Sequence, residues 1–483
     1  MSPDASSHRL SVFRTAVVYG GMIAAAVLLF LWIRTIGLGL EAPQESARIG
    51  AMRAGPQMDV LLHVLLALVA IIVAARLVGF LFRWLGQPPV MGEIVAGILL
   101  GPTLLGRVSP EGYAFLLPAS VAPYLQVISQ VGVILYMFLV GLELNPIHLR
   151  RAPHTALAIS HASIIAPFLL GSALALGLYP VLSSRDVPFT AFALFLGVSM
   201  SVTAFPVLAR ILTDRRLHTS ALGVMALTCA AVDDVTAWCL LAFVVSVVQA
   251  QGQSPVMTTA LTALFIAVMF LVLRPVLARV VRRIDSAPER TSTDAMAFVF
   301  VLLLASALAT EWIGLHALFG AFLLGVVIPH GSRIARDFTE RLESVVVVLL
   351  LPAFFAFSGI RTQIQLVSGM QHWLLCGLII LVACLGKFGG GAVAARLTGL
   401  TWRQSSALGV LMNTRGLVEL IVLNVGLDLG VISPTLFAML VIMALVTTFA
   451  TSPILDWLTR DKQLAALSAR PTQTTGAAMA PRA

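Results

Sequence analysis

Two adjacent aspartates, Asp233 and Asp234, sit in the middle of the otherwise apolar stretch "ALTCAAVDDVTAW" (226–238), and no other charged residue occurs between Ala221 and Val248. An ionised side chain at the centre of a bilayer costs on the order of 2.5–3.5 kcal/mol. Adjacent helical residues point about 100° apart, so the two carboxylates can meet different partners while bordering one cavity. Two carboxylates side by side repel each other, which disfavours a purely structural role as helix-packing salt bridges. Hard oxygen ligands suit protons and cations alike. The expected chemistry is reversible ion binding, with Asp233 and Asp234 as ligands of a transported monovalent cation or of protons.

A charge partner is available. Of the 31 basic residues only Lys387 and Lys462 are lysines, and Lys387 lies in the middle of an apolar segment. Arginine stays protonated at any useful pH, whereas a buried lysine can lose its proton. A midspan lysine opposite a carboxylate therefore suits a proton switch better than an accidental lysine reaching for the interface. Two further segments read as broken helices. In "SVTAFPVLAR" (201–210), Pro206 removes a backbone hydrogen bond, and Ser201 and Thr203 can satisfy the freed groups. In "LMNTRGLVEL" (411–420), Asn413, Thr414, Arg415 and Gly416 interrupt an apolar run, and Arg415 and Glu419 are spaced to pair with each other. Interrupted helices in corresponding positions of two halves point to a transporter's binding site, where half-helix dipoles converge.

The elements that must position these groups are membrane helices. The chain has 483 residues, 59% of them hydrophobic and 11% charged, against about 25% charged in soluble domains. Its apolar runs are continuous and long enough for α-helices across lipid, not the short alternating segments of a barrel. Candidate spans cover 16–33, 60–82, 90–106, 124–142, 155–178, 189–210, 221–248, 257–280, 295–311, 314–329, 344–359, 373–395, 404–427 and 434–457. The expected fold is an all-α polytopic membrane protein of about 13 spans, or about 14 with the extra N-terminal one. From the span at 60 onward, alternate loops carry the arginines, among them Arg83, Arg150, Arg210, Arg215, Arg282, Arg333, Arg341 and Arg403, while the intervening loops carry only Arg107, Arg185 and Arg361. The positive-inside rule makes the first set cytoplasmic, together with the C-terminus. The formal charge of +9 thus reflects topology and not nucleic-acid binding.

Residues 1–55 are expected to form an extra helix, retained in the protein, and a linker; 56–460 the transport domain; and 461–483 a disordered tail. The four cysteines fall inside spans, where buried structural thiols are expected. "GKFGGG" (386–391) lacks Walker spacing, and its glycines suit close helix packing. Glu93 and Glu143 lie near span ends and suit interfacial or helix–helix pairing, His161 and His316 read as core histidines, and Arg274 is left unassigned.

Taken together, "GQPPVMGEIVAGILLGPTLLG" (86–106), "FLVGLELN" (138–145), "SVTAFPVLARIL" (201–212), "CAAVDDVTAW" (229–238), "GLHALFGAFLLGVVIP" (314–329), Lys387 and "MNTRGLVELIVLNVG" (412–426) resemble the monovalent cation:proton antiporter superfamily. The branch is that of bacterial Na+ or K+/H+ exchangers and plant cation/H+ exchangers. Each break lies one span from a key charge, an arrangement that suits an inverted repeat, and the resemblance implies thirteen spans, a homodimer in the cell membrane, two crossing unwound helices and an elevator-like alternation. It also implies that Asp234 binds the cation, Asp233 pairs with Lys387 and Thr203 flanks the site. The span 16–33 is additional to the family's pattern, and the large cytosolic regulatory domain of many relatives has no counterpart here.

The function expected from all this is secondary antiport of Na+ or K+ against H+, without a cofactor and without enzymatic chemistry. A K+ efflux channel-like system would need a continuous pore. A proton-coupled exporter of a small organic solute could use the same scaffold. An intramembrane aspartyl hydrolase would need aspartates on separate helices, which adjacent residues cannot supply.

Overall fold

A computed structural model describes residues 4–40, 60–143, 154–249, 255–285 and 292–459. The expected tail at 461–483, the N-terminal linker and the segment 250–254 lie outside the described residues. Described residues are helical or connecting, with 12 helices long and apolar enough to cross a membrane and up to 13 when one bent pair is joined. Helices are numbered here in chain order: α1 (Asp4–Gly37), α2 (Val60–Trp84), α3 (Pro89–Leu100), α4 (Ala122–Glu143), α5 (His154–Leu182), α6 (Phe189–Ser201), α7 (Phe205–Asp214), α8 (Ala221–Gln249), α9 (Pro255–Ala267), α10 (Arg274–Asp285), α11 (Thr293–Ile313), α12 (Ala317–Val327), α13 (Arg333–Val345), α14 (Leu351–Arg361), α15 (Gly369–Leu397), α16 (Trp402–Met412), α17 (Leu417–Asp428) and α18 (Pro434–Thr459). Segment 314–329, expected as a full span, holds only the 11-residue α12, about 17 Å at 1.5 Å per residue. The positive φ of Gly314 ends α11, and the extended residues His316 and Ile328 bound the short helix.

The helices sort into two bundles by their packing. One, the site bundle, joins α5–α8 to α15–α18; the other, the scaffold bundle, joins α2–α4 to α9–α14. Each half of the chain thus supplies three scaffold crossings followed by three site crossings. With α9–α10 as the linking crossing and α12 counted as one, corresponding helices lie an odd number of crossings apart. The second half is therefore inverted relative to the first. α1 packs on α5 and α6 of the site bundle, with Ile33 buried and Arg34 Nε donating to Thr190 Oγ1 at 3.0 Å.

Close approach of α5 and α15 builds the centre of the site bundle. A Cβ on Gly386 would come 2.7 Å from Pro167 Cα, and one on Gly390 would come 2.5 Å from the Ala162 carbonyl oxygen. Gly386 and Gly390 of "GKFGGG" therefore do packing work, and they bring Lys387 of α15 against the polar face of α5. Many leucines, valines and tryptophans on the outer faces, such as Leu308, Trp312 and Leu374, remain exposed. In water such a surface would aggregate; against lipid it is the expected outer face.

Both expected breaks are present, and each forces two helices to end inside the bundle. α16 and α17 are bent by 45° across Asn413–Gly416. α6 stops at Ser201, extended backbone follows at Val202 and Ala204, and α7 begins at Phe205. Pro206 differs from the expectation in one respect. It sits in the first turn of α7, where its missing N–H costs nothing, so it starts the second half-helix and does not itself cause the break.

Candidate functional site

The break in α6–α7 crosses the break in α16–α17. The Ala204 N–H donates to the Thr414 carbonyl at 3.0 Å, joining the two unwound segments directly. Three carbonyls at the end of α6 have lost their helical partners and face two buried cations. Lys387 Nζ donates to the Ser201 carbonyl. Arg415 donates to the Ser199 carbonyl at 3.0 Å and to the Met200 carbonyl at 2.8 Å. Cations at a helix C-terminus are favoured by its dipole, and here they also satisfy its free acceptors. Arg415 further pairs with Glu419 Oε1 at 3.1 Å, both side chains being fully buried. Thr448 fixes the backbone of this break, accepting from the Arg415 N–H and donating to the Arg415 carbonyl, each at 2.9 Å.

Lys387 also meets Asp233, with Nζ 3.0 Å from Oδ2 and both side chains at 0% exposure. Three hydroxyls complete the shell of this carboxylate. Ser160 donates to Oδ1, Ser163 to Oδ2 at 3.0 Å, and Thr203 to Oδ2 at 2.6 Å. Thr203 also lies 3.1 Å from the Met412 carbonyl and so sits between the two breaks. A buried ion pair loses several kcal/mol of hydration per ion, which only good geometry and full hydrogen bonding offset. Asp233 meets both conditions.

Asp234 faces elsewhere. Its Oδ1 is buried and has no hydrogen-bond partner among the described residues. Its carboxylate lies against the backbone N–H of Phe205, at the positive end of the α7 dipole. It borders a cavity of about 560 Å³ between the two bundles, walled by Phe205, Pro206 and Arg210 on one side and by Tyr136, Glu143 and Glu343 on the other. Arg210 and Glu343 belong to the arginine-rich ends of their helices, so the cavity opens toward that end.

The remaining expected residues group around this centre. Ser201 donates to the Gly197 carbonyl at 2.7 Å, Thr414 to the Leu411 carbonyl at 2.7 Å, and Asn413 Nδ2 lies 3.6 Å from Cys384 Sγ. Glu143 lines the cavity, Glu93 is half-buried, and Arg274 is exposed. His161 Nδ1 lies 2.8 Å from the Leu157 carbonyl, whereas His316 Nδ1 has no partner among the described residues. The cysteines need a correction: Cys229 and Cys376 are buried, but Cys239 is exposed and Cys384 half-buried, because a span has a lipid-facing side as well as a buried one.

Residues of this site that escaped the sequence reading include Ser160, Ser163 and Tyr136, with Thr448 and Glu343. Ser160 and Ser163 carried a usable signal, since residues three apart share one helix face and "SHAS" (160–163) lies in an apolar run. Tyr136 carried none, one aromatic among many.

The family described as "Sodium/hydrogen exchanger, transmembrane" matches residues 57–460. The chain is 44% identical over 397 residues to the Na+/H+ antiporter NhaS4 of Synechocystis, covering 82% of this chain and 97% of that one. It is 38% identical to cation/H+ antiporter 19 of Arabidopsis thaliana over 85% of this chain and 52% of that one. It is 35% identical to K+/H+ antiporter 1 of Saccharomyces cerevisiae over 80% and 45%. The chain thus spans about half the length of these plant and yeast relatives. In fold it is similar to the sodium proton antiporter MjNhaP1 of Methanocaldococcus jannaschii, with a TM-score of 0.62 at 15% identity, covering 85% of this chain and all of that one. With most of its length matched, and with its broken helices crossing beside two buried aspartates, the chain belongs to the transmembrane sodium/hydrogen exchanger family.

Proposed function

We propose that this chain is a secondary antiporter of the cell membrane, exchanging Na+ or K+ for protons at the Asp234 carboxylate. The observation that carries this reading is the contrast between the neighbouring aspartates. Asp233 is held by Lys387 and three hydroxyls, whereas Asp234 keeps an unpartnered oxygen beside a cavity wide enough for a hydrated ion. A cation and a proton cannot share one carboxylate oxygen set, so binding one expels the other. That competition couples the two fluxes.

Asp233 and Lys387 then form the polar floor of the site, paired while no cation is bound, and Thr203 lies between that floor and the crossing. Arg415 and Glu419 lock the second break, with Asn413 and Thr414 shaping it. The arginine-rich end is the cytoplasmic one, so the cavity is open inward and the C-terminus is cytoplasmic. Movement of the site bundle against the scaffold bundle would carry Asp234 to the other face. A homodimer assembled through the scaffold bundles would leave each site bundle free to move.

The named activities of the Synechocystis and yeast relatives, Na+/H+ and K+/H+ antiport, support exchange and leave the choice of cation open. The test is reconstitution into vesicles with a trapped pH dye. Addition of Na+, K+ or Li+ should dissipate an imposed pH gradient with at least one cation, and choline should not. Movement of cation without proton would favour the channel-like alternative.

A further inference from the structure

The end of the molecule opposite the open cavity carries a polar cluster that the ion site does not use. Ser358 and Arg361 lie three apart on α14 of the scaffold bundle. Asn424 and Asp428 lie four apart on α17 of the site bundle. Arg361 donates to Asn424 Oδ1 at 3.0 Å and to Asp428 Oδ1 at 2.7 Å, while Asn424 Nδ2 donates to Ser358 Oγ at 2.7 Å. The Arg361 guanidinium also lies 5.5 Å from the centre of the Phe357 ring. Each bond among Arg361, Asn424, Asp428 and Ser358 crosses from one bundle to the other.

Beneath this cluster lies a cavity of about 30 Å³. That is room for a water molecule or so, and not for a hydrated cation. Ser129 and His316 line it, and Ser129 Oγ and His316 Nδ1 are buried there without a partner among the described residues. Buried polar atoms are rarely left unpaired, and these two between apolar helices are explained if water reaches them in another state. The 560 Å³ cavity and the 30 Å³ cavity thus lie toward opposite ends of the two bundles, one open and one small.

We infer that the small cavity lined by Ser129 and His316 is the closed outer mouth of the cation path, and that Arg361, through Asn424 and Asp428, is the positioning residue that clasps the two bundles shut there. This inference rests on the exchange reading for the identity of the ion. The clasp itself rests on packing alone. It assigns Arg361 a role a generic loop arginine would not have: its charge guards the mouth, and its release frees Asp428 to attract an incoming cation. Arg361 and Asp428 are part-exposed, at 23% and 26%. The pair is therefore strong enough to bias the open and closed states and weak enough to break in each cycle.

The test uses Ser129→Cys as a reporter of the outer mouth, in protein whose four native cysteines are replaced and whose folding is checked by a monodisperse elution profile. An impermeant maleimide is added from outside to intact cells. The reporter should react slowly in the parent and about fivefold faster with Arg361→Ala or Asp428→Asn, the factor that an ion pair of this exposure can contribute. The exchanged pair Arg361→Asp with Asp428→Arg should return labelling toward the parent rate, which separates the clasp from a general loosening of structure. Transport should shift in the same sense, with a lower KM for external cation in Arg361→Ala and a smaller change in kcat. Labelling that does not change in the single variants, or that stays fast in the exchanged pair, overturns the clasp. Because labelling needs no transport, that result would leave the exchange reading standing, and absent exchange with altered labelling would do the reverse.

Discussion

Asp233 and Asp234 share a peptide bond and meet opposite surroundings. Asp233 lies 3.0 Å from the Lys387 ammonium inside a shell of hydroxyls, while Asp234 keeps an unpartnered buried oxygen and borders a cavity. The roughly 100° between successive side chains on a helix is what makes this possible. One carboxylate points into the α5–α15 seam, and the next points across α7 to the scaffold.

The serines of α5 give a first test. Ser160 and Ser163 each supply a hydrogen bond to a buried, charged acceptor, worth about 1.5–3 kcal/mol. Ser160→Ala and Ser163→Ala should each lower the melting temperature and slow exchange. Ser201→Ala should cost less, because that hydroxyl reaches only backbone carbonyls of Gly197 and Ile164. Thermal unfolding in detergent compares them. Equal losses for the three variants would mean that the shell of Asp233 contributes nothing beyond ordinary helix packing.

Arg415 gives a second. Its fork reaches the Ser199 and Met200 carbonyls and Glu419 at once, a geometry that one ammonium cannot reproduce. Arg415→Lys should therefore be destabilising, and Arg415→Ala more so, by about 3–5 kcal/mol, because it leaves Glu419 without its ion-pair partner and the Ser199 and Met200 carbonyls without their donor. Should Arg415→Lys match the parent in melting temperature and exchange, the fork is not what locks the second break.

Much of this architecture could be read from the chain because charge inside an apolar run is rare. Asp233, Asp234, Lys387, Arg415 and Glu419 stand out for that reason, and proline, threonine and asparagine flag the breaks. What stayed hidden has physical causes. Serines such as Ser160 and Ser163 are common on membrane helices, since they can bond their own backbone. The break in α6–α7 lies ahead of Pro206, because a proline tolerated in a first turn looks in sequence like one that ends a helix. The clasp residues Asn424 and Asp428 sit at a span end, where polar residues are expected in any case.

Orientation gives a third prediction. Arg336 is exposed on α13, at the arginine-rich end, and Met370 is 76% exposed at the start of α15, at the other. With the native thiols replaced, an impermeant reagent added to intact cells should modify Met370→Cys and spare Arg336→Cys. The opposite pattern would invert the topology and place the open cavity outside.

Lys387 gives a fourth. Lysine can surrender its proton and arginine cannot. If cation binding at Asp234 frees Lys387 to release a proton, transport carries net charge and responds to an imposed membrane potential. Lys387→Arg should then keep a pair with Asp233 and a near-parental melting temperature while losing that response, and Lys387→Ala should lose stability as well. Potential-driven dye movement in vesicles reads the difference. If Lys387→Arg is as electrogenic as the parent, Lys387 is structural and the carboxylates alone carry the proton.

Whether cation and proton compete for one carboxylate is decided most directly by counting protons as the cation binds. Purified protein in weakly buffered detergent solution near neutral pH is mixed with a Na+ or K+ salt, with choline as the control, and a pH dye reports release. The parent should release protons saturably with at least one of the two cations, with an apparent affinity that improves as pH rises, since fewer protons then occupy the site. Asp234→Asn should release none while keeping the Asp233–Lys387 pair and a near-parental melting temperature. Proton release from Asp234→Asn equal to the parent's would contradict the account, because the shared site would have to lie elsewhere.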